Sequence, residues 1–295
     1  MAITPNIWFN GNAAEAVRFY TDLFPDSHLI RTVHYPEEGL LDFQKELAGR
    51  ELTVDFSLGG QRLVAINAGP EFRPTPALSF TVSVGADDPA VAREQIDTIW
   101  AGLSDGGTVF MPLGEYPFAA RYGWVEDPYG VSWQLTLADP DRSQPFIVPS
   151  FLFAGDRTNR AEEAIEYYTG VFPDSAIGTV ARYEEQTGPA AQGSLMYADF
   201  ALTGQLFVAM DSGVPMDAAF SEGVSLSVAC ADQEELDYFW DKLSKAGAEF
   251  EQCGWCKDQF GVSWQIVPAD MEQLMQRPGA FERLMGMKKI QIDEF

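Results

Sequence analysis

Two segments with apolar residues at helical spacing occur at corresponding places in the two halves of the chain. The first contains Ala13, Ala16, Val17, Tyr20, Leu23 and Phe24, and the second contains Ala161, Ala164, Ile165, Tyr168 and Val171. Spacings of three and four residues predict amphipathic helices with one buried face. Each helix is followed by FPDS, whose proline indicates that the chain turns away there.

Short segments of alternating polarity follow each predicted helix. They are LTVDFSL and QRLVAIN in the first half and YADFAL and QLFVAM in the second half. The alternation and the Gly59-Gly60 turn predict antiparallel hairpins. A further strand then leads to a second helix, which begins after Asp88 or Asp232, residues of the N-capping type. Each half ends at GVSWQL or GVSWQI, so each half predicts two β-α-β-β-β modules and an α+β fold.

The chain repeats itself at domain scale. FYTDLFPDS at 19–27 returns as YYTGVFPDS at 167–175, and DPYGVSWQLTLADPD at 127–141 returns as DQFGVSWQIVPADME at 258–272. A repeat this long is a whole domain and excludes a solenoid of small units. We therefore expect a first domain over 1–140, a second over 146–270 and a helical tail over 271–295, with the boundary in the polar stretch DPDRSQP at 139–145.

Composition narrows the function classes. The 295 residues carry a formal net charge of −25, and 46% of them are hydrophobic. A polyanionic surface repels nucleic acid and anionic membranes, so neither is an expected partner. No apolar run reaches the roughly 20 residues of a spanning helix, and the N-terminus lacks signal-peptide features. We predict a soluble cytoplasmic protein.

The opening ITPNIWFNGNAAEAVRFYTDLFPDS and the segment ADQEELDYFWDKLSKAGAEFEQCGWCKDQFGVSWQIVP resemble the vicinal oxygen chelate superfamily, which includes glyoxalase I and bleomycin-resistance proteins. More closely, they are similar to its PhnB-like branch, labelled 3-demethylubiquinone-9 3-methyltransferase-like. The resemblance covers essentially the whole chain. It implies a tandem fold in which β-α-β-β-β modules form cupped mixed sheets.

The resemblance also implies metal-ligand positions, and this chain departs from them. Metal-dependent members hold a divalent ion with His, Gln or Glu side chains, whereas the corresponding positions here are Asn6, Ser79 and Gln134 in the first copy and Ser150, Ser225 and Gln265 in the second. Neutral amides and hydroxyls are poor ligands for zinc, nickel or iron. His28 and His34 match no ligand position, while Asn67 and Asp211 lie near one. We predict no metal site and no cofactor, and a divalent ion stays an alternative.

A longer segment, expected to form a loop, distinguishes the first copy. MPLGEYPFAARYGW at 111–124 contains nine residues more than its counterpart and includes Tyr116, Arg121 and Trp124. Aromatic residues beside an arginine favour closure over a planar or anionic ligand, and packing against a domain or subunit is the alternative. An ion pair of Arg121 with Glu115 or Glu126 is its alternative role. The expected ligand-binding residues are Asn6, Ser79, Tyr116, Arg121, Trp124, Gln134, Ser150, Ser225 and Gln265.

Three other features favour structural roles. Cys253 and Cys256 have C-x-x-C spacing but fall in a loop that enters a strand, which favours partly buried cysteines over a redox or zinc site. Trp133 and Trp264 alternate with the glutamines and are expected to face the helices or the other domain. The methionine-rich tail, broken at Pro278-Gly279, packs on its own domain or on a second subunit.

The expected function is binding of a small organic ligand in a metal-free cup, by a homodimer. Two alternatives stay open: a divalent-metal-dependent lyase, isomerase or dioxygenase, and a non-catalytic scaffold or sequestering dimer. Methyl transfer is disfavoured because no glycine-rich turn such as G-x-G-x-x-G opens a helix to hold a donor nucleotide. Whether the protein is an enzyme is left undecided by the sequence, since no histidine or paired-carboxylate constellation emerges.

Overall fold

A computed structural model of the chain describes residues 1–139 and 145–295. Most of the predicted boundary stretch at 139–145 lies outside the described residues. The strands of the first repeat are β1 (Ile3–Phe9), β2 (His28–His34), β3 (Glu51–Leu58), β4 (Gln61–Asn67), β5 (Leu78–Val84), β6 (Thr108–Tyr116), β7 (Ala119–Glu126) and β8 (Ser132–Leu137). Those of the second repeat are β9 (Ile147–Phe153), β10 (Ala176–Arg182), β11 (Leu195–Leu202), β12 (Gln205–Asp211), β13 (Val224–Cys230), β14 (Trp255–Lys257) and β15 (Ser263–Pro268).

The helices predicted from apolar spacing are present, and the second helix of each repeat begins just after Asp88 or Asp232, as predicted. They are α1 (Ala13–Leu23), α2 (Pro89–Ser104), α3 (Ala161–Val171), α4 (Gln233–Leu243), α5 (Met271–Leu274) and α6 (Ala280–Gly286). The predicted N-caps are confirmed, since Asp88 accepts a hydrogen bond from the amide of Ala90 at 2.8 Å and Asp232 accepts one from Glu235 at 3.0 Å. The side-chain oxygens satisfy amides that the first helical turn leaves without partners.

The strands form two mixed sheets, and each sheet combines modules from both repeats. Sheet A has the order β14-β15-β13-β1-β4-β3-β2, and sheet B has the order β10-β11-β12-β9-β5-β8-β7-β6. Antiparallel pairing of β1 with β13 and of β5 with β9 joins the first module of one repeat to the second module of the other. The predicted α+β tandem fold is confirmed, and the two modules of each repeat lie in different sheets.

The fourth module is shorter than the other three. Modules one to three each have four strands, whereas the fourth has β13, β14 and β15, with a 3-10 turn at Ala248–Phe250 before β14. In the first repeat the additional residues form the β6–β7 hairpin, so the segment predicted as a long loop is a pair of strands.

One hydrophobic core lies between the helices and the sheets. Helices α1 and α4 pack on sheet A, and α2 and α3 pack on sheet B. Trp133 and Trp264 are fully buried in this core, which confirms their predicted orientation toward the helices. Because side chains alternate along a strand, Gln134 and Gln265, which follow these tryptophans, face the side of their sheet away from the helices. We call this side polar face A in sheet A, where Gln265 lies, and polar face B in sheet B, where Gln134 lies.

The C-terminal tail packs on its own chain against sheet A. Phe281 of α6 meets the ring of Tyr35 at 6.2 Å between centroids, and Glu272 of α5 pairs with Arg31 of β2. Met287 and Ile290 are buried near β14. The predicted break at Pro278-Gly279 is confirmed, because Gly279 adopts a left-handed φ of 74° just before α6.

Within the two described stretches, no helix combines the length and the apolar character that crossing a membrane requires.

Candidate functional site

Polar face B brings together three of the predicted residues: Ser79, Gln134 and Ser150. The side-chain amide of Gln134 donates a hydrogen bond to Ser79 Oγ at 2.9 Å. Ser79 lies opposite Ser150 in the β5–β9 pairing, and the hydroxyls of Ser150 and Thr81 are 2.7 Å apart. All three predicted residues are buried. Two repeats therefore contribute to a single polar cluster.

Two aromatic residues of β7 extend this cluster. The hydroxyl of Tyr122 donates to Gln134 Oε1 at 2.7 Å, and the indole nitrogen of Trp124 donates to Ser132 Oγ at 2.8 Å. Burial raises the pKa of the Tyr122 hydroxyl, which keeps it protonated and able to donate. Trp124 belongs to an apolar cluster with Ala77, Phe110, Met111, Leu152, Ala154, Met210, Met216, Ala218 and Phe220. The result is a small hydrogen-bonded centre within an apolar wall.

Polar face A brings together the other three strand residues: Asn6, Ser225 and Gln265. Asn6 lies opposite Ser225 in the β1–β13 pairing, and the Gln265 side-chain amide donates to Ser225 Oγ at 2.9 Å. The Asn6 amide donates to the carbonyl of Thr4 at 2.8 Å. The pair formed by Gln265 and Ser225 repeats the geometry of Gln134 and Ser79 on the other sheet.

The predicted residues are therefore grouped by sheet and not by repeat. From the repeat alone, Asn6 is expected beside Ser79 and Gln134, since all three belong to the first copy. The structure places Asn6 in sheet A, and Ser79 and Gln134 in sheet B. The exchange of modules between the two sheets is the physical reason for this regrouping.

Arg121 lies apart from the polar cluster of face B, whereas Tyr116 meets the ring of Tyr122 edge to face at 5.8 Å between centroids. Tyr116, at the end of the β6–β7 hairpin, stacks on Phe118 at 5.5 Å and donates its hydroxyl to the carbonyl of Pro112 at 2.8 Å. Arg121 points to the helix side of β7, where its Nε donates to Asp97 of α2 at 2.7 Å. Its ion-pair partner is thus Asp97, and neither of the glutamates considered from the sequence.

Replacing Arg121 by alanine is expected to lower the free energy of unfolding by less than about 1 kcal/mol, because the ion pair is partly exposed. Urea unfolding of Arg121→Ala beside Asp97→Ala measures this. We also expect unchanged stabilisation by any small molecule that raises the melting temperature of the wild type. A lost thermal shift in Arg121→Ala alone would contradict the placement of this side chain away from the ligand.

The side chains at the inherited ligand positions do not fit a divalent transition metal. In both polar faces they are neutral amides and hydroxyls that hydrogen-bond one another, as described above. Among residues 1–139 and 145–295, no three His, Cys, Asp or Glu side chains are grouped so that they could hold a metal ion. Zinc, nickel and iron prefer imidazole, thiolate or carboxylate, so the donor set does not match them.

Asn67 and Asp211, near a possible ligand position, hold helix starts instead. Asn67 Oδ1 accepts from the amide of Ala13 at 3.3 Å, and Asp211 Oδ1 accepts from Ala161 at 3.2 Å. Asp211 Oδ2 also accepts from the amide of Leu195 at 3.1 Å. Burial raises the pKa of Asp211, and these backbone amides oppose that shift. Both side chains are engaged in joining a strand end to the following elements of the fold.

The cysteines fit the predicted structural role. Cys230 and Cys256 are buried, and Cys253 is half-buried with its sulfur 3.6 Å from that of Met285. Burial raises the pKa of Cys253 to about 11 and that of Cys230 to about 12. Such thiols stay protonated at neutral pH, and a protonated thiol is a weak nucleophile.

Sequence reasoning missed two residues of the polar faces, Tyr122 and Trp255. Trp255 of β14 lies opposite Gln265, as Trp124 lies opposite Gln134. A signal was available, because Gly123-Trp124 and Gly254-Trp255 are separated by the same 131 residues as the two GVSWQ segments. The same offset places Cys253 at the position of Tyr122.

Comparison with known proteins agrees with this architecture. A family model described as 3-demethylubiquinone-9 3-methyltransferase matches the chain twice, at residues 1–136 and 145–267. A solved structure from Bacillus cereus, described as a putative 3-demethylubiquinone-9 3-methyltransferase, PhnB protein, is 38% identical; the match covers 47% of this chain and 100% of that one, with a TM-score of 0.40. A search of the curated proteins gave no match.

Glyoxalase I from Zea mays shares the fold at low identity. It is 13% identical, the match covers 82% of this chain and 79% of that one, and the TM-score is 0.50. The two family matches together span most of the chain, one in each repeat. The chain therefore belongs to the 3-demethylubiquinone-9 3-methyltransferase-like, PhnB-like family.

Proposed function

We propose that the protein binds a small organic ligand at a polar face of its sheets, through neutral hydrogen-bonding side chains and without a conventional metal site. The observation that carries this proposal is the repeated glutamine–serine pair, Gln134 with Ser79 and Gln265 with Ser225. Each pair has a tryptophan opposite the glutamine on the neighbouring strand. A few polar groups beneath an aromatic and apolar wall are typical of small-molecule sites.

The proposed contacts are the residues that lie on the polar faces: Asn6, Ser79, Trp124, Gln134, Ser150, Ser225 and Gln265. Amide and hydroxyl groups can both donate and accept, so they suit an uncharged ligand with polar substituents. Arg121 is outside this set because it points to the helix side of β7. Tyr116 is outside it because it lies at the end of the hairpin, with its hydroxyl bonded to the carbonyl of Pro112. We assign no catalytic role, since no residue among 1–139 and 145–295 is placed against these groups as a general base or nucleophile.

Methyl transfer is not part of the proposal despite the family's description. A methyl-donor nucleotide is usually held at a glycine-rich turn of a doubly wound parallel sheet. Both sheets here are mixed, with hairpins between neighbouring strands, and the sequence has no G-x-G-x-x-G motif.

A structural role is the second candidate, and burial of the cluster on face B favours it. Ser79 and Ser150 are fully buried and Gln134 is only 4% exposed, with their hydrogen bonds made within the protein. A satisfied buried network of this kind can hold β5, β8 and β9 together without any ligand. In this candidate function the protein is a non-catalytic homodimeric scaffold.

Fragment screening by melting temperature tests the two candidates. Wild type and the double variant Gln134→Leu/Gln265→Leu are melted with a panel of small neutral aromatic and polar compounds, and hits are checked by saturation-transfer NMR. Ligand binding predicts hits in the wild type that the double variant loses. A panel without hits, together with a dimer in light scattering, would favour the scaffold. Elemental analysis that finds a stoichiometric divalent ion in the wild type, and not in the double variant, would contradict the metal-free proposal.

A further inference from the structure

The two polar faces differ at equivalent positions in how their hydrogen bonds are satisfied. On face B, Tyr122 donates to Gln134 Oε1, and Trp124 donates to Ser132 Oγ. Gln134 therefore uses both ends of its amide within the protein, and Ser132 has a partner although it is fully buried. At these positions of face B, the side chains of Gln134 and Ser132 have hydrogen-bond partners within the protein.

Face A has the corresponding acceptors without the corresponding donors. By the 131-residue offset Cys253 corresponds to Tyr122, but it lies in the turn before β14, with a φ of 54°, and its sulfur faces Met285. Within the described parts of the chain, Gln265 Oε1 receives no hydrogen bond, and Ser263 Oγ, the counterpart of Ser132 Oγ, is buried without a partner. Buried polar atoms in folded proteins nearly always have a partner, so an unpaired hydroxyl indicates that one is missing.

Aromatic rings lie beside these unpaired groups. Trp255 is half-buried, and its ring meets Trp8 edge to face at 6.0 Å between centroids. Trp8 in turn meets Phe72 at 5.0 Å and donates its indole nitrogen to the carbonyl of Gly69 at 2.7 Å. This arrangement turns Trp255 toward Trp8 and leaves Ser263 without the indole donor that Ser132 has.

Two of the charged groups on face A, Lys257 and Asp55, are already paired. Lys257 of β14, which lies opposite Ser263, forms an ion pair with Glu222 at 2.9 Å, and both side chains are largely buried. Asp55 of β3 accepts from Arg31 at 2.9 Å and also pairs with Arg62. A charged ligand would need to displace one of these pairs, whereas a neutral ligand would not.

We infer that polar face A is the binding site of the proposed function, and that its ligand is a small, neutral, planar molecule with two polar substituents. One substituent donates to Gln265 Oε1, the other hydrogen-bonds Ser263 Oγ, and the ring packs against Trp255. Ser263 and Gln265 are two residues apart on one strand, so their side chains are separated by roughly 6–7 Å. A disubstituted benzene ring can bridge this span. The inference rests on the proposed function and specifies which face carries it.

Resorcinol is a suitable probe because it has two donors on one planar ring. Its dimethyl ether lacks the donors, and isophthalate carries charges instead. Saturation-transfer NMR with the whole protein should detect resorcinol, with affinity for the other two compounds weaker by about tenfold or more. Gln265→Leu should weaken resorcinol binding by about tenfold, clearly more than the matched variant Gln134→Leu. Arg121→Ala, whose side chain lies on the helix side of β7, should leave it unchanged.

The matched serines provide a second measurement that needs no ligand. Ser263→Ala removes an unpaired hydroxyl and should raise the melting temperature by about 2–4 °C, while Ser132→Ala strands the Trp124 indole and should lower it by a similar amount. Opposite signs support an unfilled site on face A. Equal signs would overturn the inference even if Gln134→Leu failed to fold.

The outcomes separate the two proposals. Resorcinol binding that Gln134→Leu abolishes and Gln265→Leu retains would overturn the choice of face A and leave ligand binding in place. Preference for isophthalate over resorcinol would overturn the neutral ligand class. Absence of binding by wild type to resorcinol and to the wider panel would overturn the proposed function together with this inference.

Discussion

Replacement of Asp127 by alanine is expected to lower the free energy of unfolding by about 3–5 kcal/mol. Its buried carboxylate accepts four hydrogen bonds. Oδ2 accepts from the Tyr20 hydroxyl at 2.7 Å and the Trp133 indole at 2.8 Å, and Oδ1 accepts from the amides of Tyr129 at 2.8 Å and Val131 at 3.0 Å. Alanine leaves these buried donors without partners, and each carries its own desolvation cost.

The location of Asp127 increases its effect. It lies in the turn between β7 and β8 of sheet B, whereas Tyr20 belongs to α1, which packs on sheet A. The hydrogen bond thus joins the two modules of one repeat across the core. Asp258 makes the same four contacts in the second repeat, including Tyr168 of α3 at 2.7 Å.

Urea unfolding of Asp127→Ala, Asp258→Ala and Tyr20→Phe measures these contributions. Tyr20→Phe removes one hydrogen bond and should cost about 1–2 kcal/mol, clearly less than either aspartate variant. The two aspartate variants should agree closely because their contacts are equivalent. A cost near that of Tyr20→Phe in both would show that the carboxylates do not join the modules.

The difference in stability between wild type and Asp127→Asn depends on pH, with a sign that follows from the burial of the wild-type carboxyl. Burial raises the pKa of Asp127, and its four hydrogen bonds oppose that shift. Between the ordinary pKa and the raised one, the native state binds more protons than the unfolded chain, so this carboxyl lowers stability as pH rises. Asp127→Asn lacks this dependence but strands the Trp133 indole. Its deficit relative to wild type should therefore narrow from about pH 4 to pH 7.

The local parts of the fold could be predicted because short-range patterns determine them. The helices containing Tyr20 and Tyr168, the Gly59-Gly60 hairpin and the aspartate N-caps depend on residues within one or two turns of each other. The orientation of Trp133 and Trp264 followed from simple alternation along a strand. In each of these cases the physical cause lies within about a dozen residues of sequence.

The pairing of modules could not be predicted from the repeat. Two similar modules present similar strand edges, so β1 could pair with β5 or with β13 on sequence pattern alone. The structure pairs β1 with β13. Because of this pairing, Asn6 lies on the same face as Ser225 and Gln265, and not with Ser79 and Gln134.

The residues of the candidate site could be predicted from the sequence, but whether their hydrogen bonds are satisfied could not. Gln134, Ser79 and Ser150 were identified from their strand positions, and they do lie together. Whether their hydrogen bonds are satisfied depends on side chains of β7, which the sequence analysis interpreted as part of a loop. The difference between Tyr122 and Cys253, which correspond in the two repeats, could therefore not be interpreted before the strand pairing was known.

Deletion of residues 287–295 is expected to lower the free energy of unfolding by about 3–6 kcal/mol. The segment contributes Met287 and the fully buried Ile290 to the core. Its carbonyls at Met287 and Lys288 also accept from the amides of Cys253 and Gly254, each at 2.8 Å. In sheet B the strand next to β7 is β6, whereas the fourth module lacks that strand and the tail meets the chain just before β14 instead.

Two point variants separate the sources of this effect. Ile290→Ala should cost about 2–4 kcal/mol through the cavity it leaves. Lys289→Ala, which loses only a partly exposed ion pair with Asp237, should cost less than about 1 kcal/mol. The deletion should also lose the contacts of Gln233, whose side chain donates to the Ile290 carbonyl at 3.2 Å and accepts from the Ile292 amide at 2.9 Å. Urea unfolding and light scattering of the three variants test this, and a deletion as stable as Lys289→Ala would show that the tail does not compensate for the missing strand.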